Sequence, residues 1–91
     1  MRLIDFNLSV TELDPQLKLY FKPANHPALP VSSLRLLDHW LIVEPGTTPL
    51  TLDQFETRVQ AAGGSRQLAY SDTNQVKLFG YQLREQKIIL G

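Results

Sequence analysis

Two histidines, His26 and His39, are the only side chains here that ordinarily titrate near neutral pH, so any acid–base or metal chemistry would start from them. His39 adjoins Asp38 and forms the one adjacent acid–imidazole pair. Neighbours on an extended chain point to opposite faces, so the two can meet only across a turn, and Asp-His is itself turn punctuation. His26 lies beside Asn25 in Pro23–Pro30, a stretch with three prolines. A general base needs a group that orients it, and the neighbouring sequence supplies none. Neither histidine has a His or carboxylate three or four residues away, the spacing of a helical metal site. Asp72-Thr73-Asn74 has the opening of a calcium loop, but Lys77 and Leu83 stand where its glycine and glutamate belong.

The nucleophiles are equally unsupported. Ser32, Ser33, Ser65 and Ser71 lie outside any Gly-x-Ser-x-Gly elbow, and there is no cysteine. Gly63-Gly64-Ser65 follows an apolar periodic segment, whereas phosphate loops precede the helix whose N–H groups they extend. The sequence therefore assigns no catalytic, metal or cofactor-binding residue, expects no cofactor, and favours a non-enzymatic module over an enzyme with a histidine base.

One cluster points to binding. From residue 63 onward, Arg66, Lys77, Arg84 and Lys87 outnumber Asp72 and Glu85, with Tyr70, Phe79 and Tyr81 interleaved. Basic and aromatic side chains on one sheet face can hold single-stranded nucleic acid. The nine Lys and Arg residues are balanced by nine Asp and Glu, so no global field favours a polyanion. The sequence thus ranks nucleic acid (through Arg66, Lys77, Arg84, Lys87 and Tyr70) below self-association.

The elements that must carry these residues follow from periodicity. Ile4, Phe6, Leu8 and Val10 alternate with polar residues and predict a half-buried strand, paired as a hairpin with a second strand over 17–22. The proline-rich residues 23–30 predict a loop. Residues 32–44 carry both helical and strand signals, and Trp40-Leu41-Ile42-Val43 tips the reading to a hairpin bent at Asp38-His39. A helix over about 52–62 has the clearest signature. Thr51 and Gln54 form a capping box, and Leu50 and Phe55 form a hydrophobic staple. Leu52, Phe55, Val59 and Ala62 make its apolar face, to be laid on Ile4, Phe6, Leu8 and Val10, and Gly63-Gly64 is read as a left-handed stop. Strands over 66–70, 76–83 and 87–90 follow, with turns at 71–74 and 84–86.

Ninety-one residues make one domain, 1–91, of ordinary globular composition, with 43% hydrophobic and 20% charged residues. The expected fold is α+β: six to seven short strands, mostly antiparallel and curled toward a barrel, with one helix packed on one face. The longest apolar run, Trp40–Val43, is far short of the ~20 residues of a membrane helix. Asp5 falls where a signal peptide needs its apolar run, and no cysteine awaits oxidation, so the expected location is the cytoplasm, with no membrane partner.

The expected function is a small binding or assembly module. Residues 76–83 carry bulky apolar groups on both faces, and one helix cannot cover both. A second copy, or another protein, would bury Phe79, Tyr81, Leu83 and Ile89.

Overall fold

A computed structural model describes all residues, 1–91. Helix α1 spans Leu3–Ser9, and strands β1, β2 and β3 span Lys18–Phe21, Leu29–Leu37 and Trp40–Pro45. Helix α2 spans Leu52–Val59, followed by β4 (Gln67–Ser71), β5 (Gln75–Lys77), β6 (Tyr81–Arg84) and β7 (Lys87–Leu90). The strands form one curled sheet in the order β5-β4-β3-β2-β1-β7-β6. It is mixed: β1–β7 and β3–β4 are parallel and the other pairs antiparallel. Strands β1, β3, β4 and β7 therefore run one way, and their C-terminal ends share one rim.

Both helices fill the concave side of this half-barrel. Alternation along the strands points Leu19, Phe21, Leu41, Val43, Leu68, Tyr70, Ile88 and Leu90 inward, where they share one core with Leu3, Phe6, Val10, Leu52, Phe55 and Val59. The rings of Phe6 and Phe55 meet edge to face at 5.3 Å, so α2 packs against α1 as well as against the sheet.

The expected strand over residues 4–11 is instead α1, and the expected hairpin with residues 17–22 does not form. The buried residues Leu3, Phe6 and Val10 follow helical spacing, while Leu8, which completed the apparent alternation, is 70% exposed. Arg2 at the N-cap offers no side-chain cap. The first helical N–H groups are satisfied from elsewhere: Leu3 donates to Arg66 O at 2.8 Å and Ile4 to Gly64 O at 2.9 Å. No local pattern encodes such a cap. Gly64 is also not the left-handed stop expected, because no glycine has positive φ. Its role is space, since a Cβ there would lie 3.0 Å from Ile4 Cβ.

The hairpin over 32–44 is present as β2–β3, with Asp38 at φ 53° in the bend between Leu37 and Trp40. Helix α2 starts at Thr51 with both halves of the capping box in place, and ends at Val59 rather than Ala62. The expected strand 76–83 is two strands on opposite edges of the sheet. Residues 78–80 carry the chain across, with Leu78 buried and donating to Leu68 O at 2.9 Å, and Phe79 donating to Gly91 O at 2.8 Å. The two-sided apolar pattern thus comes from one segment serving both edges. Strand β7 lies between β1 and β6, and its Ile88 and Leu90 are buried. No helix is long and apolar enough to cross a membrane.

Candidate functional site

The half-barrel offers several places where chemistry or binding can occur, among them a cleft at the rim, a hollow of about 300 Å³ between Asn7, Leu13 and Glu56 on the helical side, the convex face, and the two free edges.

The cleft opens where β1, β3 and β4 end. Phe21, Leu29, Val43 and Tyr70 form its apolar floor, and His26, Glu44 and Asp72 stand on its walls, enclosing a cavity of about 290 Å³. The proline-rich loop is held over it by Ala24, whose N–H donates to Tyr70 Oη at 3.3 Å. His26 makes no side-chain hydrogen bond, and the Glu44 carboxylate accepts from Ser33 Oγ and Arg35 Nε. No three His, Asp or Glu side chains converge as metal ligands. Asp38 and His39 sit in the β2–β3 turn, where the His39 ring packs on Trp40 at 4.7 Å and the Asp38 carbonyl accepts from Arg66.

The residues expected to form an interaction surface are dispersed. Tyr81 points to the concave side, packs its ring on Phe6 at 5.6 Å and shares a 2.9 Å hydroxyl contact with Ser9. Leu83 lies on the same side of β6 but is 52% exposed. Ile89 faces the opposite, convex side and is half-buried. Phe79 is 75% exposed in the crossing segment.

The residues expected for nucleic acid are also divided. Tyr70 is buried against Phe21 in the core, at 5.5 Å between rings. Lys77 lies on β5 at the far edge, over the Phe79 ring, and Arg66 is engaged at the β2–β3 turn. Arg84 and Lys87 are brought together as cross-strand partners on the convex face. Comparison with family models, curated proteins and solved structures finds no match to this chain. The site must therefore be read from its own geometry.

That geometry adds residues the sequence pattern passed over. Parallel pairing sets Lys18 beside Lys87 and Tyr20 beside Ile89, and the Lys87 ammonium lies 4.9 Å from the Tyr20 ring centre. Lys22 continues the ladder, donating its N–H to Leu90 O at 2.8 Å. Contacts between β1 and β7 span most of the chain, so no local signal could have paired them.

Charge is sorted across the fold. The helices and the turn after α1 carry five acids, Asp5, Glu12, Asp14, Asp53 and Glu56, against Arg2 and Arg58, with Arg2 bonded to Asp5 at 3.1 Å. Burial raises the Glu56 pKa above its usual 4.5. With its amide nitrogen turned toward α2, Asn7 donates to both Glu56 oxygens at 3.0 and 3.2 Å. A neutral total charge thus conceals a polar molecule.

Proposed function

We propose that this chain is an assembly module that pairs with a second copy of itself through the free edge of β6. One observation carries the reading: Leu83, a bulky apolar side chain 52% exposed, sits on the open edge of the sheet with nothing in the chain covering it. Strand β6 joins β7 through a two-residue turn, Glu85-Gln86, in which both residues have positive φ. In such hairpins the closing pair, Arg84 and Lys87, exchanges its backbone bonds, so Leu83 and Tyr81 direct theirs to the open side. An antiparallel copy centred on Leu83 places Leu83 against Leu83 and Gln82 against Arg84. That register buries the exposed leucine, satisfies the edge, and sets no like charges opposite one another.

The other edge does not invite this pairing. Strand β5 has three residues, all exposed, and Lys77 is one of them; a short edge strand bearing lysine discourages strand addition. Sedimentation equilibrium tests the reading. The wild type sediments as a dimer at high micromolar concentration, and Leu83→Lys gives a folded monomer. A wild type that remains at 10.3 kDa, or a dimer unaffected by Leu83→Lys, contradicts it.

A further inference from the structure

We infer that the convex face of β1, β7 and β6 is a binding site for single-stranded nucleic acid. Three cations on this face stand in an arrangement that the fold alone does not favour. Lys18, Lys87 and Arg84 stand abreast on three adjacent strands, because Lys18 is level with Lys87 and Lys87 with Arg84. Like charges set side by side in a sheet repel one another. None of the three has a carboxylate partner: the molecule's two ion pairs are Arg2–Asp5 and Arg35–Glu44. Lys22 adds a fourth unpaired cation at the rim end of the same face. An anionic ligand supplies the partners that the chain withholds.

The residues between the cations select the kind of anion. Tyr20 and Ile89 are level neighbours at the centre of the patch and both are half-buried, so an aromatic ring and an aliphatic side chain lie flush with the surface. The Lys87 ammonium covers the Tyr20 ring but is held by no hydrogen bond or ion pair, so it can swing aside to a phosphate. Lys22, Gln82 and Ile89, the last being the cross-strand neighbour of Tyr20, line a hollow of about 290 Å³. The Gln82 carbonyl accepts from Arg84 Nε at 3.2 Å, which leaves its amide nitrogen free to donate to a base edge. Cations around a stacking ring with an amide in reach are the features of a single-strand platform. A duplex keeps its bases stacked inside and would not use Tyr20, and a purely sulfated or phosphorylated polymer would use the cations alone.

The test uses fluorescence anisotropy with a labelled single-stranded oligothymidine, its duplex form, and heparin. It is run on the wild type and on Leu83→Lys, so that loss of self-association and loss of binding are read separately. If the four cations each meet a phosphate, log affinity falls with log salt with a slope of about −2.8, and Lys18→Ala with Arg84→Ala reduces that slope by about 1.4. Tyr20→Ala weakens the oligonucleotide about tenfold, Tyr20→Phe restores it, and heparin binding is the same in all three. These side chains are exposed or half-buried, and thermal melting confirms that each variant is folded. Three results overturn the proposal: no anisotropy change at about 100 μM protein in low salt, equal or tighter binding of the duplex, or a Tyr20→Ala variant that binds the single strand as the wild type does.

Discussion

The convex face has two wings, and they treat their side chains in opposite ways. On the β2–β3–β4 wing, Ile42 and Ala69 are fully buried although no helix lies over them. Arg35, opposite Ile42, bonds Glu44 at 3.2 Å and Ser71 at 3.4 Å, so its side chain lies across β3 as a polar cover. Its charge is used within the chain. On the β1–β7–β6 wing the corresponding cations, Lys18, Lys87 and Arg84, have no acidic partner, and β6 ends in an open edge. One wing closes on itself by pairing its charge over a small apolar patch. The other leaves its cations without an acid, with Lys87 resting on the Tyr20 ring, and leaves the outer backbone groups of β6 unpaired. A sheet face without a helix is therefore not by itself a binding surface; what distinguishes the two is whether the chain supplies its own partners.

Truncation of the apolar residues gives the largest test of this contrast. Ile42→Ala should cost about 2–5 kcal/mol, as for a buried core residue. Ile89→Ala on the open wing should cost only about 1 kcal/mol, because the side chain is half-buried. Similar losses at both positions, measured by urea denaturation, would erase the difference. For the same reason Ile89→Lys should leave a folded chain.

The charges give a smaller test. Arg35→Ala should lose about 0.2–1 kcal/mol with its exposed ion pair. Lys18→Ala should be neutral or stabilising by a few tenths of a kcal/mol, since it relieves repulsion from Lys87. If Lys18→Ala destabilises more than Arg35→Ala, the open wing holds an internal partner for its charge.

The helical side gives the smallest effect. Burial raises the folded pKa of Glu56, so the folded state takes up a proton more readily than the unfolded state. Stability at this residue is gained as pH falls through the raised pKa and is lost again above it. Glu56→Gln gives up one of the two oxygens that accept from Asn7, so its signature is the pH profile: its melting temperature relative to the wild type should be higher at pH 7 than below the unperturbed value of 4.5. A gain that persists in acid would come from packing and not from charge.

What could be read from the sequence depended on how far each signal reached. The capping box of Thr51 and Gln54 and the bend at Asp38-His39 are local, and both elements form where expected. Helix α1 has the opposite character: its N–H groups bond to Arg66 O and Gly64 O, some sixty residues away, and its exposed Ile4 and Leu8 imitate a strand. The division of 76–83 was hidden because each half belongs to a different edge of the sheet. The candidate site was legible in part. Arg84 and Lys87 belong to one hairpin and could be paired from sequence, whereas Lys18, Tyr20 and Lys22 join them only through the parallel pairing of β1 with β7.

The central claim is that the β1–β7–β6 wing is open for use and the β2–β3–β4 wing is not. Amide ¹H–¹⁵N spectra, recorded first against protein concentration and then with single-stranded oligonucleotide, test it most directly. The account predicts that raising the concentration shifts the amides of residues 81–84. Nucleotide should shift those of Lys18, Tyr20, Lys22, Lys87 and Ile89, while Arg35, Ile42, Ala69 and Ser71 stay fixed in both titrations. Shifts centred on those last four residues, or none on the open wing in either titration, would contradict it.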